Sequence, residues 1–138
     1  MSLFKIFDIA GSAVSSQSQR LNVVASNLAN VDTVAGPDGK TYKARQVTFE
    51  TVLMNTPDGV PGAGVKVSKV SEDQSPGRRV HDPASPSADA DGYVTYSNVN
   101  AVDEMVNMIS ASRSYQNNIE VMNTAKTLLM KTLQMGQG

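Results

Sequence analysis

The stretch Leu3-Phe4-Lys5-Ile6-Phe7-Asp8-Ile9-Ala10-Gly11-Ser12-Ala13-Val14 opens the run that decides the architecture. Taken from Leu3 in alternating steps of four and three, the run lands on Phe7, Ala10, Val14, Gln17, Leu21, Val24, Leu28 and Val31. Eight of those nine positions are apolar, and only Gln17 departs. This is the a/d spacing that keeps one stripe of a helix against a partner helix. No Pro interrupts it, and Gly11 weakens the helix by only about 1 kcal/mol relative to Ala. A helix over 3–31 would be on the order of 40 Å long.

The other end of the chain repeats the pattern. From Ala101 the same steps give Met105, Met108, Ser112, Tyr115, Ile119, Met122, Lys126, Leu129 and Leu133, and eight of these ten are apolar. Ser112 is small and Lys126 is the misfit. Near Lys126 the seam drifts onto Ala125, as a 3.6-residue helix does against a strict heptad. Asn100 suits the N-cap, with Asp103 three residues on, and Gly136 stands as a stop signal past the last apolar position.

Between the two lies a different kind of sequence. Residues 32–99 hold all six Pro and most of the Gly. Gly36-Pro37-Asp38-Gly39, Pro57-Asp58-Gly59 and Asp91-Gly92 are turn signals, because Gly supplies positive φ and Pro presets the first turn position. Val65-Lys66-Val67, leading to Val70, and Tyr93-Val94-Thr95-Tyr96 alternate like half-buried strands. Gln46 to Met54 is apolar at mixed spacing and fits either state. Gln74 to Ser87 reads as an extended arm. The expected fold is therefore mainly α: long N- and C-terminal helices over 1–31 and 100–138, packed as a coiled-coil-like antiparallel pair. A small β, loop-rich segment over 32–99 connects them.

Composition removes most catalytic equipment. The 138 residues include twelve basic and thirteen acidic side chains, for a net charge of −1, which argues against a nucleic-acid binder or a polybasic membrane anchor. There is no Cys, so disulfides, thiolate metal sites and thiol catalysis are excluded, and the single His leaves little for a metal cluster or proton relay. No stretch approaches the roughly 18 apolar residues of a membrane span. Asp8 breaks the apolar start and Ser15-Ser16-Gln17-Ser18-Gln19-Arg20 follows at once, so no cleaved signal peptide is expected.

The helix surfaces are unusual. Between residues 1 and 31 the only charges are Lys5, Asp8 and Arg20. The outer positions are instead Ser12, Ser15, Ser16, Ser18, Gln19, Asn22, Ser26, Asn27 and Asn30. The C-terminal helix has Asn107, Ser110, Gln116, Asn117, Asn118 and Asn123. Ser and Asn are indifferent helix formers, so the N-terminal helix should be marginal alone and stabilise as copies or partners pack round it. Small polar groups suit a face packed against other protein. Gln17 is a candidate for fixing helix register. Five of the seven Met lie on the last helix, as gap-filling core or as adaptable interface.

Local motifs give no chemistry. His81 beside Asp82 has no placed nucleophile, and Asp89-Ala90-Asp91-Gly92 lacks the acidic residue a calcium loop needs about twelve positions along, where Asn100 stands. A turn capped by Asp is the expectation there. Arg78-Arg79 reads as a solvated pair. No cofactor, metal or small-molecule substrate is expected.

Ser26-Asn27-Leu28-Ala29-Asn30-Val31-Asp32-Thr33 resembles the segment closing the N-terminal helix of bacterial flagellar rod and hook proteins. Met108 to Asn118, continuing to Lys126, resembles their C-terminal helix. The intervening motifs His81 to Pro86, Ala88 to Val94 and Ser97 to Asn100 are most similar to the short, proximal-rod members. The shared residues are Asn27, Asn30, Thr33, Pro83, Pro86, Asp91, Gly92, Tyr93, Asn98 and Asn100. One departure is that Val34 to Thr41 separates Thr33 from Tyr42, where the general pattern has Gly-Tyr close behind Thr.

The resemblance implies a non-enzymatic structural subunit of the basal-body rod. The subunit would reach the periplasm through the flagellar type III export apparatus without a cleaved signal. It would polymerise through its terminal helices, 1–31 with 100–135, into a drive shaft around the export channel. The assembly residues would be Leu3, Phe7, Ala10, Val14, Leu21, Val24, Leu28 and Val31 on the first helix. On the second they would be Met105, Met108, Tyr115, Ile119, Met122, Leu129 and Leu133. Implied neighbours are the rod proteins FlgB, FlgF and FlgG, the basal adaptor FliE, the membrane ring and further copies of the chain. The alternative class is a cytoplasmic helical adaptor of the export apparatus.

Overall fold

The computed structural model describes residues 3–55 and 59–137. Six elements follow in order: α1 (Leu3–Ala29), β1 (Arg45–Met54), β2 (Gly62–Glu72), β3 (Arg79–His81), β4 (Tyr93–Thr95) and α2 (Ala101–Gln137). β1 pairs with β2 and β3 with β4, making two separate two-stranded antiparallel sheets. Just under half of the described residues are helical, so the fold is a mixed one rather than mainly α. The difference comes from the length of β1 and β2, ten and eleven residues. In β1 the inward positions are Val47, Phe49, Val52 and Met54. The period of two slips between Phe49 and Val52, which is why spacing alone left this stretch open.

The helix ends follow from named side chains. α1 stops at Ala29, short of Val31, because Asn30 turns the chain: its Nδ2 donates to the Ser26 carbonyl at 2.8 Å. The Asn30 and Val31 N–H groups then donate only three residues back, to Asn27 and Leu28, which tightens the last turn. At the other helix, Asn100 Oδ1 accepts the N–H groups of Val102 and Asp103 at 3.0 and 3.3 Å, the N-cap expected from sequence. Asp103 and Glu104 in the first turn suit the positive end of the helix. α2 does not stop at Gly136 but runs through it to Gln137.

The chain divides into two compact units. The first comprises Met1–Leu21, Thr48–Lys69 and Ile109–Gly138; the second comprises Asn22–Val47 and Val70–Met108. In the first, α1 lies between α2 and β2. Leu3, Phe4 and Phe7 line one groove with Ala125, Lys126 and Leu129, and a methyl at Gly11 would touch Met122 Cε at 3.9 Å, so the helices run antiparallel. Apart from Lys5, the buried helix positions are small: Ala10, Ser16, Ala111 and Ala125. The seam does move onto Ala125, which is 4% exposed, while Lys126 stays exposed.

The opposite face of α1 binds β2 through polar groups. Ser12 Oγ accepts the Val65 N–H at 3.1 Å, and Ser16 Oγ donates to the Val65 carbonyl at 3.1 Å. Lys5, itself 7% exposed, donates to the Val60 carbonyl. Ser12 and Ser16, one turn apart, therefore satisfy both backbone groups of a residue on a sheet edge, where a neighbouring strand would otherwise be needed. Gly62 and Gly64 allow this approach. A Cβ on Gly64 would stand 2.7 Å from Met54 Cε and 2.9 Å from Ser12 Oγ. The Met54 end can swing away, whereas Ser12 can yield only by releasing Val65. Gly64→Val should cost about 1–3 kcal/mol and speed amide exchange at Val65; unchanged protection there would refute this account.

The second unit is organised round Val94, 2% exposed, and three polar side chains: Asn27, Ser97 and Asn98. β3 and β4 pair in the register Arg79↔Thr95, Val80↔Val94, His81↔Tyr93. Val34 bridges Tyr96 on the other side, and Tyr96 N–H donates to the Arg78 carbonyl at 2.7 Å. Gln74 to Ser87 is thus no extended arm: β3 folds back on β4, and residues 82–88 form turns. Gly77 permits the return, as shown below by what a side chain there would meet. The expected turns at Gly36-Pro37-Asp38-Gly39 and Asp91-Gly92 are present, with φ of 75° at Gly39 and 82° at Gly92. Pro57 and Asp58 of the third expected turn lie outside the described residues, and Gly59 has φ 72°.

Candidate assembly interface

Four of the motif residues, Asn27, Asn30, Thr33 and Asn98, bond within the chain. Asn27 is 1% exposed. Its Nδ2 donates to the Arg45 carbonyl and its Oδ1 accepts the Arg45 N–H, both at 2.9 Å. One side-chain amide thereby pairs with β1 as a strand would. Oδ1 also accepts the Tyr42 hydroxyl proton at 2.9 Å, which leaves Ser26 as donor to Tyr42 across 3.1 Å. Thr33 Oγ1 donates to Asn30 Oδ1 at 3.2 Å. The long segment between Thr33 and Tyr42 therefore still delivers Tyr42 to the end of α1.

Asn98 repeats the device. Its Oδ1 accepts the Ala44 N–H at 2.6 Å, and its Nδ2 donates to the carbonyls of Asp73 and Ser75 at 2.8 and 3.0 Å. The Ala44 carbonyl in turn accepts the Asp73 N–H at 2.8 Å. Ser97 Oγ donates to the Val31 carbonyl at 2.8 Å, and the Ser97 N–H donates to Thr33. Sequence reading singled out Asn27, Asn30, Thr33 and Asn98 by motif, and named Ser97 and Tyr42 without giving either a role. It also took the Ser and Asn face of the first helix as a surface for other proteins. Ser12, Ser16, Ser26, Asn27 and Asn30 instead bond within the chain.

The Asp-Gly turn is built as a loop cap. Asp89 Oδ1 accepts the N–H groups of Tyr93 and Asp91, and Oδ2 accepts from Arg79 at 3.2 Å. The Tyr93 N–H foremost, with Asp91 and Arg79, holds the Asp89 carboxyl below the usual range. Stability from this cap is present above the ordinary carboxylate pKa and is lost as pH falls through the lowered one. Pro83 packs against Gly92, and Arg79 lies over the Tyr93 ring at 4.5 Å. His81 and the same ring meet edge to face, with centroids 5.0 Å apart. Among the described residues no group of three metal-ligating side chains occurs, and no helix is long and apolar enough to cross a membrane.

The apolar seam residues are spread unevenly. On α1, Ala10 and Val24 are buried, Leu3, Val14, Leu21 and Leu28 are half-buried, Phe7 is 39% exposed, and half-buried Val31 lies past the helix end. On α2, Tyr115, Ile119, Met122 and Leu129 are half-buried, while Met105, Met108 and Leu133 are exposed. Gln17 Oε1 is buried without a partner among the described residues. Beyond the seam, Val102, Val106 and Ile109 form a second exposed stripe at steps of four and three. A second count from Val102 would have found it. Phe4, Leu128, Met130 and Met135 are exposed as well. A helix surface this apolar is characteristic of a face that other protein covers.

The family described as flagella basal body rod protein matches residues 7–37. That described as flagellar basal body rod FlgEFG protein C-terminal matches residues 90–135. Between them these matches cover the end of α1 with its Asn clamps and the whole helical part of α2 up to Met135. The class is that of flagellar basal-body rod proteins. The flagellar basal-body rod protein FlgC of Escherichia coli O6:H1 strain CFT073 is 57% identical over 137 residues, 99% of this chain and all of the relative. That of Salmonella typhimurium strain LT2 is 56% identical over 140 residues, with the same coverage. FlgC of Buchnera aphidicola subsp. Baizongia pistaciae is 40% identical over 141 residues, again across its full length. The chain belongs to the FlgC family of flagellar basal-body rod proteins. It is a structural rod subunit of the basal body, associated with other rod components, and not an enzyme.

Proposed function

We propose that the chain polymerises through its terminal helices into the proximal part of the rod, the periplasmic drive shaft that carries torque and encloses the export channel. Residues 1–31 with 100–135 form the inner tube as a coiled-coil-like antiparallel pair, and 32–99 contact neighbours further out. The neighbours are FlgB, FlgF, FlgG, the adaptor FliE, the membrane ring and other copies. The subunit leaves the cytoplasm through the flagellar export apparatus, and its helices finish ordering on assembly. The observation that carries this reading is the exposed apolar surface of α2, with Val102 at 68%, Met105 at 55% and Val106 at 60% exposure.

The absence of native Cys makes a direct test practical. Single cysteines at Val14, Arg79 and Leu129, carrying a photo-crosslinker in cells, should capture rod subunits at all three positions. Capture of cytoplasmic export components alone would instead support the adaptor. Charged substitutions at Leu21 and Leu129, both half-buried in the helical seam, should abolish swimming. A motility halo of normal size from the doubly substituted chain would remove the seam from the assembly.

A further inference from the structure

The α1–α2 pair of the first unit has two apolar flanks, one on either side of the line where Leu3 meets Ala125. One flank groove is lined by Ile6, Val121, Thr124 and Leu128, and Glu120 stands on it. The other is lined by Phe4, Phe7 and Leu129, and Lys126 stands on it. At 100° per residue, Val121, Thr124 and Glu120 lie progressively to one side of Ala125 on α2, while Leu129 and Lys126 lie to the other. Both grooves are open to solvent. Glu120 and Lys126 are exposed, and neither makes an ion pair among the described residues. With the seam carried onto Ala125, Lys126 is left exposed at the rim of an apolar groove, and its charge is matched by no acidic group among the described residues.

We propose that these flanks are the two halves of one contact between copies of the chain: the Glu120 flank of one subunit receives the Lys126 flank of the next. This rests on the assembly reading above and assigns the partner on each side. Two different surfaces meeting head to tail form an open series rather than a closed dimer. Opposite charges at the rims fix the direction of stacking, and turning one subunit over would set like charge against like. Glu120 and Lys126 are six residues apart, about 9 Å along the helix axis. Neighbours that pair them are therefore staggered along the axis, and a staggered series winds into a helix.

The test uses full-length chains in a strain lacking its own copy. E120C and K126C, in separately tagged chains expressed together, should form a disulfide-linked dimer in isolated basal bodies, and neither should do so when expressed alone. Charge exchange gives a second reading. Each of E120K and K126E alone should reduce swimming, and the doubly exchanged chain should recover it. Dimers from E120C alone would overturn the proposal, because the flank would then meet itself. So would basal bodies that contain both chains yet yield only crosslinks to other rod proteins. Failure of the tagged chains to enter basal bodies at all is seen by fractionation, and would overturn the assembly reading together with the contact.

Discussion

Asn27→Ala should be among the most damaging single changes in the chain. It removes an amide that holds both backbone groups of Arg45 and accepts the Tyr42 hydroxyl, at a site 1% exposed to solvent. Each buried group left without a partner costs about 1–3 kcal/mol, so a total loss near 3 kcal/mol is expected after partial relaxation. There is no Trp, and three of the four Tyr (Tyr42, Tyr93 and Tyr96) lie in the second unit, so with Tyr115, the one in the first unit, replaced by Phe, tyrosine fluorescence during urea unfolding reports on the second unit. The midpoint should fall without a change in slope. Asn27→Asp distinguishes pairing from bulk. It keeps the acceptor but sets a carboxylate oxygen against the Arg45 carbonyl, and should be nearly as costly. A near-normal midpoint for Asn27→Asp would mean that Asn27 fills space rather than mimicking a strand.

Gly77→Ala should have an effect of similar size for a different reason. A Cβ at Gly77 would lie 2.0 Å from the Tyr96 carbonyl oxygen and 3.2 Å from its carbon. Both are backbone atoms, so no rotamer relieves the overlap. The segment 76–78 would have to move away, breaking the 2.7 Å bond from Tyr96 N–H to the Arg78 carbonyl and loosening the start of β3. A loss of about 3 kcal/mol or more is expected, in the range of overpacking that shifts backbone. Gly36→Ala is the control, since a methyl there would meet only the Asp38 carboxylate, at 3.2 Å. In cells Gly77→Ala should reduce motility and Gly36→Ala should not. Equal urea midpoints for the two variants would refute the close approach.

Much of the molecule was legible before any coordinates. The two helices follow from their heptad spacing, and the Asn100 cap and the Asp-Gly turn from their chemistry, because each depends on residues near one another in the chain. The strands were read less well. β2 showed through Val65-Lys66-Val67, but β1 did not, since its inward positions slip phase between Phe49 and Val52. β3 was hidden behind Pro76 and Gly77, which read as loop and serve as the point of closest approach to Tyr96.

The sequence by itself determined that this chain has two long helices at its ends, a turn-rich middle, no Cys and a single His. It also carried, in Asn27, Asn30, Thr33 and Asn98, the marks of its family. What those residues do was decided only by the tertiary structure. A side-chain amide can pair with backbone groups only once the chain has brought Arg45 beside Asn27, or Ala44 beside Asn98, and nothing in local spacing encodes that meeting. The same holds for Ser12 and Ser16, whose small hydroxyls read as a surface for other proteins until β2 came to lie against them. Periodicity reports which faces are apolar. Which polar face is spent inside the chain, and which is left for neighbours, depends on long-range pairing of backbone groups that must all find partners.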